Sequence, residues 1–203
     1  MPGILISAEG LDKSGKSTQV DNLVKWLGNS NYAATKTREP SNLVRHTVTS
    51  SGVGDLTRLL LFLADRIEHT EGVILPALEK DLIVVCDRYF DCTYAYQLHE
   101  NNHPVIYHAG AINQHIARIP DLTLFIDTPL DVCYSRYKCG LDYIESQPRE
   151  YHERVVRGYH WRASVEPARI KIIDGDGSEE EVFQRVLAEV IKSGVLEAHS
   201  QGI

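Results

Sequence analysis

Eight residues near the start of the chain, Gly10-Leu11-Asp12-Lys13-Ser14-Gly15-Lys16-Ser17, fit the pattern GxxxxGK[ST]. They lie between an apolar run, Ile4 to Ala8, and a helical pattern in which Val20, Leu23, Val24 and Leu27 recur at i, i+3, i+4 and i+7. Strand, glycine-rich turn and helix, in that order, is the context that makes such a pattern a phosphate-binding loop. The glycines let successive backbone N–H groups face one concavity, and the helix start adds positive potential. Gly10 to Ser17, with Thr18 behind them, are therefore the candidate triphosphate site: Lys16 can reach the β/γ-phosphates and Ser17 can hold Mg²⁺.

The rest of the chain repeats the same alternation. β-rich apolar runs occur at Leu82 to Cys86, Leu122 to Ile126 and Ile170 to Ile173, with a weaker one near Ala33 to Thr37, and helical patterns fill the intervals. Thr128-Pro129-Leu130-Asp131 predicts a helix with proline in its first turn, and Ser178-Glu179-Glu180-Glu181 predicts a capping box. Strands alternating with helices imply a doubly wound parallel α/β sheet. A length of 203 residues suits one domain over 1–203, closed by a polar, flexible tail from about 194 to 203.

Composition removes several function classes. Lys+Arg total 21 against 28 Asp+Glu, a net charge of -7, which argues against a broad nucleic-acid footprint and requires any anion site to be local. Cys86, Cys92, Cys133 and Cys139 contain no CxxC, so neither a zinc site nor a disulfide framework is expected. No apolar run approaches a membrane span and Met1 to Ile4 lack a signal-peptide start, so a soluble cytoplasmic protein with no membrane contact is expected. A GTPase-type switch would need an NKxD base reader, which is absent. His99-Glu100-Asn101-Asn102-His103 imitates the HExxH zinc signature, but two asparagines and the Pro104 after His103 predict a loop.

Two further clusters stand out. Asp87-Arg88-Tyr89 ends the third strong strand, at the sheet edge where open α/β folds bind ligands. Asp87 reads as a structural cap or as a group acting on the metal through water, while Arg88 suits a second phosphate. Phe62 and Arg66 stand four apart, hence on one helix face; by themselves they read as a core ring with a solvated arginine, since aromatic residues at helical spacing usually pack in the core.

Together these motifs resemble the thymidylate kinase family. The likeness runs from Ala8-Glu9-Gly10 through Thr37-Arg38-Glu39-Pro40, Phe62/Arg66, Asp87-Arg88-Tyr89 with Thr93 and Ala95-Tyr96-Gln97, to Pro120-Asp121-Leu122-Thr123 and Tyr151-His152-Glu153-Arg154 with Tyr159. It implies a P-loop kinase fold with a five-stranded parallel sheet, helices on both faces and a short lid at about 138–150; ATP and dTMP as substrates with Mg²⁺; and a homodimer. Carried over, Phe62 would stack on thymine, Arg66 donate to its O4, Arg45 and Arg88 hold the monophosphate and Asp12 bind the sugar 3′-hydroxyl. Thr93 and Gln97 would face the base edge, and Tyr96 would crowd out a ribose 2′-hydroxyl.

The family places an extra cation either in the phosphate loop or in the lid. Lys13 occupies the loop position and Tyr143 stands where lid-type members carry arginine, so Lys13, with Lys16 and Arg88, is the expected catalytic set. Arg136, Arg149 and Arg154 flank the lid and read as solvated helix charges or as compensating cations. Cys92 stands where the family commonly has serine, which leaves a kinase for dUMP or 5-hydroxymethyl-dUMP as an alternative acceptor reading, beside a nucleotide-binding regulator without turnover.

Overall fold

The computed structural model describes residues 3–100, 103–137 and 140–197. Five parallel strands form one sheet in the order β2-β3-β1-β4-β5: β1 Ile4–Glu9, β2 Ala34–Arg38, β3 Ile83–Asp87, β4 Leu122–Asp127 and β5 Ile170–Asp174. Helices cover both faces, as expected. Side-chain alternation explains how. Ile4, Ile6 and Ala8 of β1, with Leu122, Leu124 and Ile126 of β4, pack on α1 (Lys16–Asn29) and on the C-terminal helix, whose Val182, Val186 and Val190 face them. Leu5, Val84 and Cys86 point the other way, to Tyr89, Phe90 and Tyr94.

α2 (Asn42–Val48) and α3 (Asp55–His69) follow β2. A π-helical stretch, Thr70–Ile74, runs from α3 into α4 (Leu75–Leu78). After β3, α5 (Phe90–Thr93) continues as a second π-helical stretch, Tyr94–Leu98, and α6 (Pro104–Ile116) leads to β4. α7 (Leu130–Ser135), α8 (Arg149–Val165) and α9 (Glu179–Lys192) complete the order. Gly158 of α8 permits that helix to touch the second π stretch, since a Cβ there would sit 2.8 Å from the Ala95 Cα. That contact places Tyr159 beneath the sheet's carboxyl edge.

Two boundaries differ from the expectation, and a third matches it. Pro129 caps α7 with an extended ψ of 136° rather than starting it. The capping box at Ser178 forms as the pattern predicts. Leu196, in the stretch expected to be flexible, is buried against Val190 and its neighbours, because an apolar side chain there finds the end of the core; residues 198–203 of that tail lie outside the described set. No helix among the described residues is long and apolar enough to cross a membrane.

Candidate active site

β1 delivers Gly10 to the carboxyl edge of the sheet and α1 starts at Lys16, so the loop between them opens into a cavity of about 510 Å³. No side chain caps α1 and no acid stands in its first turn, which leaves its first N–H groups open to an anion. Gly15 precedes the helix at φ 94°, and Lys13 takes a left-handed φ of 64°. Lys16 is buried, its Nζ donating to the Leu11 carbonyl at 3.1 Å and standing 3.8 Å from Asp12 Oδ1. Burial and then the nearby Arg88 hold its pKa below the ordinary lysine value, against the pull of Asp12.

Beside the loop, Ser17 Oγ donates to Asp87 Oδ2 at 2.5 Å, while Asp87 Oδ1 is buried with no partner among the described residues. A hydroxyl next to a carboxylate with an unused oxygen fits a hydrated hard cation. No cluster of three or more His, Cys, Asp or Glu able to hold a metal occurs among the described residues, so Mg²⁺ there would draw its other ligands from phosphates and water. Sheet register explains the placement: Ala8, Asp87 and Arg38 are aligned across β1, β3 and β2.

Arg88 also has a left-handed φ, 65°, and its backbone N–H donates to the Ala8 carbonyl at 2.9 Å. The turn sends its guanidinium back over the loop, where Nη2 meets Asp12 Oδ1 at 2.8 Å. Burial raises the Asp12 pKa, but Arg88, Lys16 and Arg45 outweigh it and hold the carboxyl well below the usual range. Arg45, exposed on α2, is depressed by burial and by the neighbouring charges of Arg38 and Arg88. Three arginines thus crowd one spot of an acidic protein, the local anion site its net charge required.

A second, smaller pocket of about 70 Å³ shares Asp12, Arg45 and Arg88 with the first. Phe62, Pro40, Cys92, Tyr96, Gln97 and Ile144, with Glu39, Thr49 and Asp142, complete its wall. Phe62 is half-buried with its ring on this pocket, so the reading as a pure core residue fails. The Tyr96 hydroxyl is buried without a partner among the described residues. Cys92 Sγ donates to the Tyr89 carbonyl at 2.9 Å, and burial pushes its pKa up to about 12, so it lines the pocket as a thiol.

Arg66 and Thr93 do not line that pocket. Arg66 is 0% exposed, and its N–H donors go to Glu39 Oε2 (3.0 and 2.6 Å), Thr93 Oγ1 (2.7 Å), Asn113 Oδ1 (2.7 Å) and the Tyr89 carbonyl (2.7 Å). A solvated arginine is therefore ruled out, and so is a free guanidinium waiting for a base. The one long contact, Nη2 to Cys92 Sγ at 3.8 Å, links the network to a side chain of the pocket wall, as the bonds to Glu39 do. Thr93 is 0% exposed and accepts from Arg66, so its side chain supports the pocket floor instead of reaching a base edge.

The lid segment is a turn over residues 143–146 leading into α8, with 138 and 139 outside the described set. Glu145 stands 3.9 Å from Lys13 Nζ. Arg136 lines the larger cavity and donates to the Lys13 carbonyl at 2.9 Å, whereas Arg149 pairs with Asp131 and Glu153, and Arg154 donates to the His99 and Tyr96 carbonyls. Of the three flanking arginines only Arg136 meets the phosphate loop. His99 stacks on Trp161 and His103 caps α6, so the two histidines of the zinc-like pattern belong to different local structures; 101 and 102 are outside the described set.

Pattern reading passed over Glu9, Glu39 and Arg38 as site residues. Glu9 is 0% exposed beneath the loop, its Oε1 accepting from the Tyr89 N–H at 2.9 Å and its Oε2 from the Tyr159 hydroxyl at 3.0 Å. Burial, reinforced by Asp91, pushes its pKa up to about 7. All three stood within the quoted motifs; what their spacing did not carry was which partner the sheet register would bring to each.

The thymidylate kinase family model matches residues 8–186. The thymidylate kinase of Symbiobacterium thermophilum is 36% identical over 203 aligned residues, covering 93% of this chain and 94% of that protein. That of an Exiguobacterium species is 35% identical, covering 95% and 96%. Among solved structures, the crystal structure of thymidylate kinase from Ehrlichia chaffeensis superposes with a TM-score of 0.74 at 29% identity, over 94% of this chain and 99% of that one.

Proposed function

The chain belongs to the thymidylate kinase family, and from that premise we propose that it transfers the γ-phosphate of ATP to dTMP, yielding dTDP and ADP. One observation carries the reading: the phosphate-loop cavity and the Phe62 pocket share Asp12, Arg45 and Arg88, so a donor and an acceptor seated in them would meet at two arginines, with Asp12 beside them. The phosphate loop, Gly10 to Thr18, takes ATP. Phe62, Tyr96 and Gln97 take the deoxynucleoside, while Arg66 and Thr93 support them from below.

The acceptor monoester has a second pKa near 6 and is largely dianionic at pH 7, so no strong general base is required. Repulsion is the obstacle: two like charges 4 Å apart cost about 4 kcal/mol at an effective dielectric near 20. Lys16 and Arg88 hold the two phosphates, and Lys13, whose side chain is 45% exposed, follows the charge that develops on the transferring group. Ser17, with Asp87 acting through water, would hold Mg²⁺, which would supply positive charge to offset part of the donor's. We place the enzyme in the cytoplasm as a homodimer, a reading with which the exposed apolar side chains Leu60 on α3 and Val105 and Ile112 on α6 are consistent.

The test is ADP release over dTMP, dUMP, 5-hydroxymethyl-dUMP, dGMP and thymidine. Highest kcat/KM with dTMP is expected. Preference for a 5-modified deoxyuridylate would transfer the assignment to the Cys92-based alternative, and ATP binding without ADP release would make the protein a regulator.

A further inference from the structure

α3 buries a second arginine, Arg58, 2% exposed and lining neither pocket described above. A buried guanidinium needs partners for its donors. For the two Nη groups they are carbonyls of the α2–α3 connection: Nη1 donates to Val48, and Nη2 to Ser50 at 3.2 Å and Val53 at 2.7 Å, while Nε is buried without a hydrogen-bond partner among the described residues. The nearest carboxylate, Asp55, is 4.0 Å from Nε and itself exposed. Arg58 is thus spent on the open carbonyls at the C-terminus of α2, where a cation is favoured.

The face of the same guanidinium lies 4.2 Å from the centroid of the Tyr143 ring, in the lid turn. Tyr143 in turn donates its backbone N–H to the Thr49 carbonyl at 3.0 Å. Carbonyls 48, 49, 50 and 53 are therefore all taken by Arg58 or by the lid residue stacked on it. Upstream of this junction stands Arg45, at the meeting point of the two pockets; downstream stand Ile144, in the acceptor wall, and Glu145, beside Lys13.

We propose that Arg58 and Tyr143 form a clamp that fixes α2 and the lid turn as a single wall, so that Arg45 and Ile144 are held in register for the acceptor. Arg58 is a positioning residue, acting through elements it holds and touching no substrate. The functional half of this inference rests on the acceptor reading above; the coupling of the two segments does not.

Hydrogen exchange and steady-state kinetics on Tyr143→Leu, Tyr143→Phe and Arg58→Met test it. In Tyr143→Leu, amides of residues 48–53 should exchange about tenfold faster. The KM for dTMP should rise about tenfold with the KM for ATP within about twofold, and Tyr143→Phe, which keeps the ring, should behave as wild type. Tyr143→Leu removes only a lid side chain, so the test survives a failure of Arg58→Met to fold. Unchanged exchange in residues 48–53 overturns the clamp whatever the substrate. Faster exchange with an unchanged KM for dTMP, in an enzyme that turns dTMP over, overturns the positioning role. A wild-type protein inactive on dTMP sinks the acceptor reading alone and leaves exchange to decide the clamp.

Discussion

The two halves of the cleft are built by different means. The donor half centres on a contiguous stretch, Gly10 to Thr18, where one strand and one helix hold the uncapped N–H groups of the helix start, with Arg136, Gly175 and Ser178 among the other residues lining its cavity. The acceptor half gathers side chains from α2, α3, the segment after β3 and the lid turn, over a floor of paired buried charges in which Arg66 and Glu39 are the centre. Backbone sites depend on local conformation and tolerate change around them; side-chain sites inherit the stability of whatever holds their elements together.

That contrast can be broken in order of expected effect. Glu39→Gln leaves the Arg66 guanidinium buried without its counter-charge, which should destabilise the fold by about 3–5 kcal/mol, read as a lower urea midpoint; a loss under 1 kcal/mol would mean the floor is not what holds the acceptor half. Lys13→Ala should leave the fold intact and lower kcat by about 10²–10³-fold with little change in either KM, because its interaction strengthens in the transition state. An unaltered kcat would move that role to Arg136.

Glu9 sharpens the comparison, since it lies under both halves. Its folded pKa, about 7, exceeds the usual 4.5, so the native state binds more protons than the unfolded one between those values and stability falls as pH rises from about 4.5 to about 7. Glu9→Gln should remove that slope, about 3 kcal/mol in all, so thermal unfolding of the two proteins should converge or cross between about pH 4.5 and 7; parallel profiles over that range would refute the assignment. The smallest effect is expected from Phe62→Ala, a loss of about 1–3 kcal/mol in dTMP binding with ATP unaffected. Equal weakening of both nucleotides would return Phe62 to the core.

The division also explains what could be read from the chain alone. All five strands, the phosphate loop and the Ser178 cap were legible, because each is written in neighbouring residues with a fixed period. Phe62 and Arg66 had one reading by spacing and another by resemblance, and the structure takes neither in full: the ring is half-buried on the pocket, and the arginine is buried in a network reaching Asn113, 47 residues on. Arg136 read either as one more helix charge or as a compensating cation, and it lines the larger cavity and donates to the Lys13 carbonyl. Arg38 became a site residue only through the alignment of β2 with β3. Such partners are chosen by topology, which periodicity does not encode.

Lys13 and Arg88 share one further trait, the backbone shape that glycine adopts with ease and other residues adopt at about 1–2 kcal/mol each. A designer optimising this scaffold for heat resistance would be drawn to install glycine at both positions, and each exchange would trade a cation for backbone comfort. Local discomfort at these two points marks where natural selection has ranked the aim of a charge above the ease of the chain that carries it.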